Sequence, residues 1–267
     1  MDMMHTVEEF LDKTLYIYAP SKGENELREF VCNEFTNIGF VEIPPSKKIY
    51  GQAPNLLLTR KGSADAPYFF FNAHLDHADI VTRDYVEENG FGYDCKLGIA
   101  VVLAICSSEK FKNANIDILF DVQEENGLQG TRQFCYEEKH FMPFFKQRLE
   151  TNILAFSMDG ALEFSKGRDV MMPAKTAKVF VEQEGVVIKN NLIVPAMPSR
   201  NSIAATKIME YINKGHEDVC VLRYGASAVL LSSIMPIVLL MPGITNCNTK
   251  KEGMDAAVTQ ETLSLFK

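Results

Sequence analysis

Apolar residues recur at three- and four-residue intervals in two stretches near the start of the chain. Val7, Phe10, Leu11, Leu15 and Tyr18 mark one face of a first helix, opened by the capping-box pattern Thr6-Val7-Glu8-Glu9. Leu27, Phe30, Val31, Phe35 and Ile38 mark a second, which stops at Gly39. The pattern then changes to short unbroken apolar runs, the mark of buried strands. These are Val41-Glu42-Ile43, Asn55 to Arg60, the run opening at Tyr68, Ile116 to Val122, Asn152 to Phe156, Val219 to Arg223 and Ile237 to Met241. Helical stretches fall between them. Leu97 to Cys106 is apolar nearly all round, so it is expected to be buried on most sides. Others run on from Gly127 to about Glu150, through Ala204, Ile208, Tyr211 and Ile212, from Ala226 to Leu231, and from about Asp255 to the end. Ala161 to Pro198 alternates and reads as β, with a turn near Glu184-Gly185. Strands alternating with helices predict an α/β fold.

Composition narrows the class of protein without naming a partner. The chain of 267 residues, 46% apolar and 23% charged, has the make-up of a soluble globular protein of one large domain or two small ones. A net charge of −8 argues against binding nucleic acid or an anionic membrane. Ala226 to Met241, the longest apolar stretch, is interrupted by Ser232, Ser233 and Pro236 and is too short to span a bilayer. Six scattered cysteines without a Cys-x-x-Cys, behind an N-terminus with no signal-peptide pattern, read as reduced thiols, and the expected location is the cytoplasm.

The candidate chemistry lies where the predicted strands end. Tyr68-Phe69-Phe70-Phe71-Asn72-Ala73 runs into His74-Leu75-Asp76, and ligand sites of open α/β sheets lie at the carboxyl ends of strands. Positions i and i+2 of an extended chain share a side, so Asp76 can hold one ring nitrogen of His74 while the other faces a metal. A satisfied structural pair is the plainer reading of those two residues alone. Four more segments carry acids beside strand ends or buried helices: Gly92-Tyr93-Asp94-Cys95-Lys96, Glu124-Glu125, Asp159-Gly160 and Asn246 to Glu252. Taken singly, Asp94 fits a helix N-cap, Glu124-Glu125 a solvated turn and Asp159-Gly160 a turn dipeptide. Together, hard oxygen donors with a histidine suit zinc, cobalt or manganese, and a dication removes the repulsion of converging carboxylates.

In this order the motifs resemble those of the co-catalytic zinc exopeptidases, the group of peptidase T, carboxypeptidase G and the glutamyl aminopeptidases. His74-Leu75-Asp76 is similar to their His-x-Asp, and Gly92 to Lys96 to their Gly-x-Asp-x-Lys. Glu124-Glu125-Asn126-Gly127-Leu128-Gln129-Gly130 and Asp159-Gly160 follow in the family order. The resemblance covers nearly the whole chain. It implies a three-layer sandwich with a mostly parallel mixed central sheet and helices on both faces. It implies that His74 and Asp159 bind one metal, that Asp94 bridges two, and that Glu125 binds the second. It gives Asp76 the orientation of His74 and Glu124 the role of general base. The implied activity is metal-dependent hydrolysis of a small peptide or amide bond by an exopeptidase, with zinc the expected metal and cobalt or manganese also suited. Expected substrates are short peptides or N-acyl amino acids.

The chain departs from the family in two places. The family ends on His-Ser/Thr-x-x-Glu; aligned on Thr249-Lys250-Lys251-Glu252, the histidine falls on Asn248, a neutral donor and poor zinc ligand. Cys247, next to it, would point away on an extended segment, and His77 or His216 would substitute only if the fold brings them in. One firm metal and a weak or empty second site are therefore expected. A homologue that binds a peptide without turnover, or an N-acyl amidohydrolase, is the alternative. Second, about forty residues separate Asp159 from Ser199, at the bottom of the range for a domain. A single catalytic domain over 1–267 with a β-rich flap at 161–198 is expected in place of a lid domain. Arg223, before Tyr224-Gly225, has the chemistry to bind a substrate carboxylate, although a surface position is commoner. Lys96 fits a place near the metal carboxylates or on a solvent-facing helix start.

Overall fold

Phe69, Phe70 and Phe71 face alternate sides of one strand and enter two separate cores: Phe69 and Phe71 one, Phe70 the other. That strand lies at the middle of the fold in the computed structural model. The structure describes residues 2–44, 53–142, 153–159, 193–195, 227–231, 234–235, 237–240 and 242–267. In chain order, helices α1 (Met3–Thr14) and α2 (Asn25–Asn37) precede strands β1 (Val41–Ile43), β2 (Leu56–Arg60) and β3 (Tyr68–His74). Helices α3 (Arg83–Asn89) and α4 (Tyr93–Ser107) lead to β4 (Asn115–Asp121) and the short α5 (Gln129–Gln133). Strands β5 (Ile153–Met158), β6 (Ile193–Pro195) and β7 (Ile237–Leu240) complete the sheet, with a short helix Ser227–Leu231 before β7. A small hairpin, β8 (Ile244–Thr245) with β9 (Gly253–Met254), precedes the closing helix Ala256–Ser264.

The sheet order is β1-β2-β4-β3-β5-β7-β6. The four central strands β4, β3, β5 and β7 run parallel, and the outer pairings are antiparallel. The sheet is thus mixed, and parallel where it carries the site. Helices α1, α2, α4 and the closing helix bury their apolar faces with Phe71, Phe120 and Phe156 on one side. Phe134, Ala228 and Leu231 cover Phe70 and Leu119 on the other. Helices therefore lie on both faces, in the three-layer arrangement expected. Every residue of α4 from Asp94 to Cys106 is buried, as its all-round apolar sequence requires. Gly98 permits its close approach to the sheet: a Cβ there would overlap the Met158 carbonyl and Cys95 Sγ.

The first helix starts earlier than the capping-box pattern suggests. Asp2, not Thr6, caps it, with its side chain accepting from the Met4 amide at 3.1 Å. Leu15 and Tyr18 fall beyond its end. The stretch after Gly127 forms one short helix and a π-turn at Phe134–Glu138 among the described residues. Asp255 caps the closing helix through the amides of Ala257 and Val258. The helix expected at Ala204 to Ile212, the strand at Val219 to Arg223, His216 and Arg223 lie outside the described residues. So does the 161–198 flap, apart from Ile193–Pro195, which pairs with β7 at the sheet edge.

Candidate metal centre

The parallel register brings three chain segments to one edge. His74 ends β3 opposite Asp121 at the end of β4. Asp159 follows the last residue of β5, and its amide donates to the Leu240 carbonyl of β7 at 3.1 Å. Asp94 reaches the same spot from the first turn of α4. Its backbone is not helical there (φ −89°, ψ 107°), and the Asp94–Cys95 peptide is cis. Its carboxylate does not cap the helix but turns to the strand ends.

The geometry centres on the His74 ring. Nε2 lies 3.2 Å from Asp94 Oδ1 and 3.6 Å from Asp159 Oδ1. Nδ1 lies 2.9 Å from the Asp76 carbonyl oxygen and 3.4 Å from Asp76 Oδ1. The side-chain donors of His74, Asp94, Cys95 and Asp159 lie within 4.8 Å of one another, and so do those of His74, Glu124 and Glu125. All of these residues are buried except Glu125, which is half-buried.

Asp76 does more than face the ring. Oδ1 accepts the backbone N–H of Glu124 at 2.9 Å, and Oδ2 that of Glu125 at 3.1 Å. Ser21 Oγ also donates to Oδ2. One residue earlier, the amide of Gln123 donates to Glu24 Oε1 at 3.0 Å. Three successive amides are thus held by two buried carboxylates, and Gln123 takes a left-handed φ of 54°. This kink sets Glu124 and Glu125 in irregular backbone. A buried network supports the floor: Asp121 accepts from Asn72 Nδ2 (2.8 Å), Thr131 and Ser227, and Ser157 Oγ donates to Asn72 Oδ1 (2.7 Å).

The acids of the cluster act on one another. Burial pushes Glu125 up to about 7; Asp94, Asp76 and Asp159 add to the rise, and His74 opposes it. Burial raises Glu124 too, with Asp159, Asp121 and Glu125 acting in the same direction. Burial pulls His74 down, but Cys95, Asp159, Asp76 and Asp94 outweigh it and hold the imidazolium well above its ordinary range. Asp94, raised by burial, is brought below its usual value by His74 and by the Cys247 thiol. The pocket therefore gathers several acidic groups around one imidazole. Buried, converging oxygen donors around an imidazole fit a divalent cation.

Several expectations need correcting. Asn248 does not join the cluster: it is exposed, and its backbone N–H donates to Glu252 Oε1 at 2.7 Å. Its neighbour does: Cys247 Sγ donates to Asp94 Oδ2 at 2.6 Å. The segment is not extended. Asn246 (φ 51°) and Asn248 (φ 56°) are both left-handed, and this turns the cysteine inward. His77 is buried outside the cluster. Its Nε2 accepts the Ala19 amide at 3.1 Å and its Nδ1 lies 2.9 Å from the Ala78 carbonyl oxygen. Burial lowers its pKa to about 4. Lys96 neither faces solvent nor bonds the carboxylates. Its ammonium donates to the carbonyls of Phe91 (2.7 Å), Ile17 (2.8 Å) and Leu15 (3.5 Å). Glu24, Ser21 and Cys247 are the site residues that sequence reasoning did not assign. The two asparagines around Cys247 were a legible signal, because Asn tolerates left-handed backbone.

Comparison with known proteins identifies the family and the fold. Residues 55–215 match the model of the family described as Peptidase family M28. Among curated proteins, the uncharacterized protein YqjE of Bacillus subtilis (strain 168) is 28% identical over 141 residues, covering 47% of this chain and 38% of that protein. The matched stretch is thus well under half of that relative's length. Aminopeptidase PepT from Bacillus cereus ATCC 10987 superposes with a TM-score of 0.62 at 14% identity, covering 99% of this chain and 97% of that one. A tripeptidase from Staphylococcus aureus subsp. aureus Mu50 gives 0.61 at 14% identity, covering 99% and 96%. The TET1 peptidase of Pyrococcus horikoshii gives 0.56 at 13% identity, covering 99% and 98%. At these identities the superpositions establish the shared α/β fold.

Proposed function

As this chain belongs to peptidase family M28, we propose that it is a metal-dependent exopeptidase that cleaves a terminal amide bond of a short peptide. The reading is carried by one observation: His74 Nε2 meets Asp94 and Asp159 at the carboxyl edge of the sheet, with Glu124 and Glu125 beside it. His74, Asp94 and Asp159 would hold one cation, and Glu125 with the far oxygen of Asp94 a second. Zinc suits this nitrogen and oxygen set, and cobalt shares its preferences. A divalent cation bound there polarises the scissile carbonyl and brings the pKa of water to about 7.

The chain's own groups do the rest. Glu124 takes the proton of the attacking water and returns it to the departing amine. Its proton affinity, raised by burial and like charge, falls towards neutrality once a cation offsets its neighbours, which is where a general base works best. Asp76 fixes both the ring of His74 and the amides of Glu124 and Glu125. Arg223 is kept as a proposal for a substrate carboxylate.

The test is chelation and reloading. Protein stripped of metal should lose peptide hydrolysis and regain it with zinc or cobalt, with cleavage of a tripeptide series followed by mass spectrometry. Failure to take up zinc, cobalt or manganese in excess at neutral pH would overturn the reading.

A further inference from the structure

We propose that Cys247 is a ligand of the second cation, taking the place that the family gives to histidine, so that this position is a thiolate–carboxylate site. The inference rests on the metal-dependent reading above. Three observations carry it. The Asn246–Asn248 turn presents the Cys247 side chain inward, packed against the core, while Asn248 is exposed. The Asp94 carboxylate has two occupied sides: Oδ1 faces His74 Nε2 at 3.2 Å and Oδ2 faces Cys247 Sγ at 2.6 Å. A carboxylate whose two oxygens face different donors in this way would offer one oxygen to a cation on either side. Independently, Glu252 Oε2 is buried and has no hydrogen-bond partner among the described residues. Its carboxylate belongs to the same turn, has the Asp94 backbone N–H beside it and feels the charges of Asp94 and Glu125. It would add an acidic oxygen beside the Cys247–Asp94 contact.

The chemistry balances without an oxidant. The Cys247 S–H bond would break, its proton would go to solvent, and the thiolate's electron pair would be donated to the cation. A soft sulfur donor shifts the preference of this position to zinc, cobalt or cadmium and away from manganese or magnesium.

Cobalt titration of the metal-stripped full chain tests this, with cobalt per chain measured by elemental analysis and thiolate-to-cobalt charge transfer read in the near ultraviolet. Wild type should bind two cobalt ions and develop the band as the second enters. Cys247→Ser should lose the band and bind the second ion at least 10-fold more weakly. Cys95→Ser, removing the other thiol near His74, should keep the band. Asn248→His should leave the count unchanged. Two ions without a band, or a band that survives Cys247→Ser, overturns the proposal. One ion without a band also overturns it, yet leaves the exopeptidase reading standing; no ion at all overturns both. Alkylation of wild type covers a Cys247→Ser variant that does not fold. Cobalt saturation should protect Cys247 from iodoacetamide in peptide mapping, and unchanged labelling overturns the proposal.

Discussion

Asp76 and Glu124 are joined through the backbone rather than through their acids: Asp76 Oδ1 accepts the Glu124 amide at 2.9 Å. The residue that faces the histidine thereby also sets the position of the proposed base. Asp76→Asn should uncouple the two, because an amide offers one acceptor oxygen where the carboxylate offered two. The expected loss is about 10- to 100-fold in metal affinity, the usual effect of removing a partner that orients ligands. Competition with a chromophoric chelator measures it. Unchanged affinity would show that the Glu124–Glu125 backbone holds its place without this clamp.

Glu124 and Glu125 are adjacent and have separate tasks in the proposed mechanism. Glu124→Gln should reduce kcat by about 100- to 10,000-fold, the range for a general base, with metal content near wild type. Glu125→Gln should lower the occupancy of the second position. Elemental analysis beside steady-state kinetics separates the two. Loss of metal in Glu124→Gln would reverse the division of labour.

Burial, and then Asp76, raises the carboxyl of Glu24 to about 7 from 4.5. The sign follows from linkage: the folded state holds this proton more tightly than the unfolded chain, so the contribution is complete below pH 4.5 and is lost as pH rises through 7. Glu24→Gln keeps an acceptor for the Gln123 amide and removes the titration. The stability difference between variant and wild type should therefore shift in favour of the variant between pH 4.5 and 8, by up to about 3 kcal/mol. Urea unfolding at pH 4.5, 6 and 8 reads it; a constant difference would mean that Glu24 does not titrate in this window.

Gly98 lies where α4 crosses the end of β5, against the Met158 carbonyl and Cys95 Sγ. Gly98→Ala forces helix and strand apart at the point that aims Asp94 and Asp159. A loss of about 1–3 kcal/mol is expected from overpacking, with weaker binding at the first cation position. Thermal unfolding with and without zinc checks both, and full zinc stabilisation in the variant would show that the two acids do not depend on this contact.

Much of the site could be read from strand ends. The apolar run into His74, the all-apolar α4 behind Asp94 and the β5 run into Asp159 each gave a position along the sheet, and the parallel register brought those positions together. What stayed hidden depends on turns and on partners distant in sequence. Asn246 and Asn248 adopt left-handed backbone, which turns Cys247 towards Asp94 and leaves Asn248 exposed. Lys96 carries its amine into the interior because three carbonyls from separate segments receive it, and a linear pattern holds no record of such a meeting. Glu24 lies about a hundred residues from Gln123 in sequence, and its contact with that residue's amide ties it to the site.

His74, Asp94 and Asp159 come from three separate stretches, the ends of β3 and β5 and the first turn of α4. A half-made chain, or one with β5 undocked, would lack Asp159 beside His74. If the proposed site holds an ion, its uptake would therefore report a finished molecule.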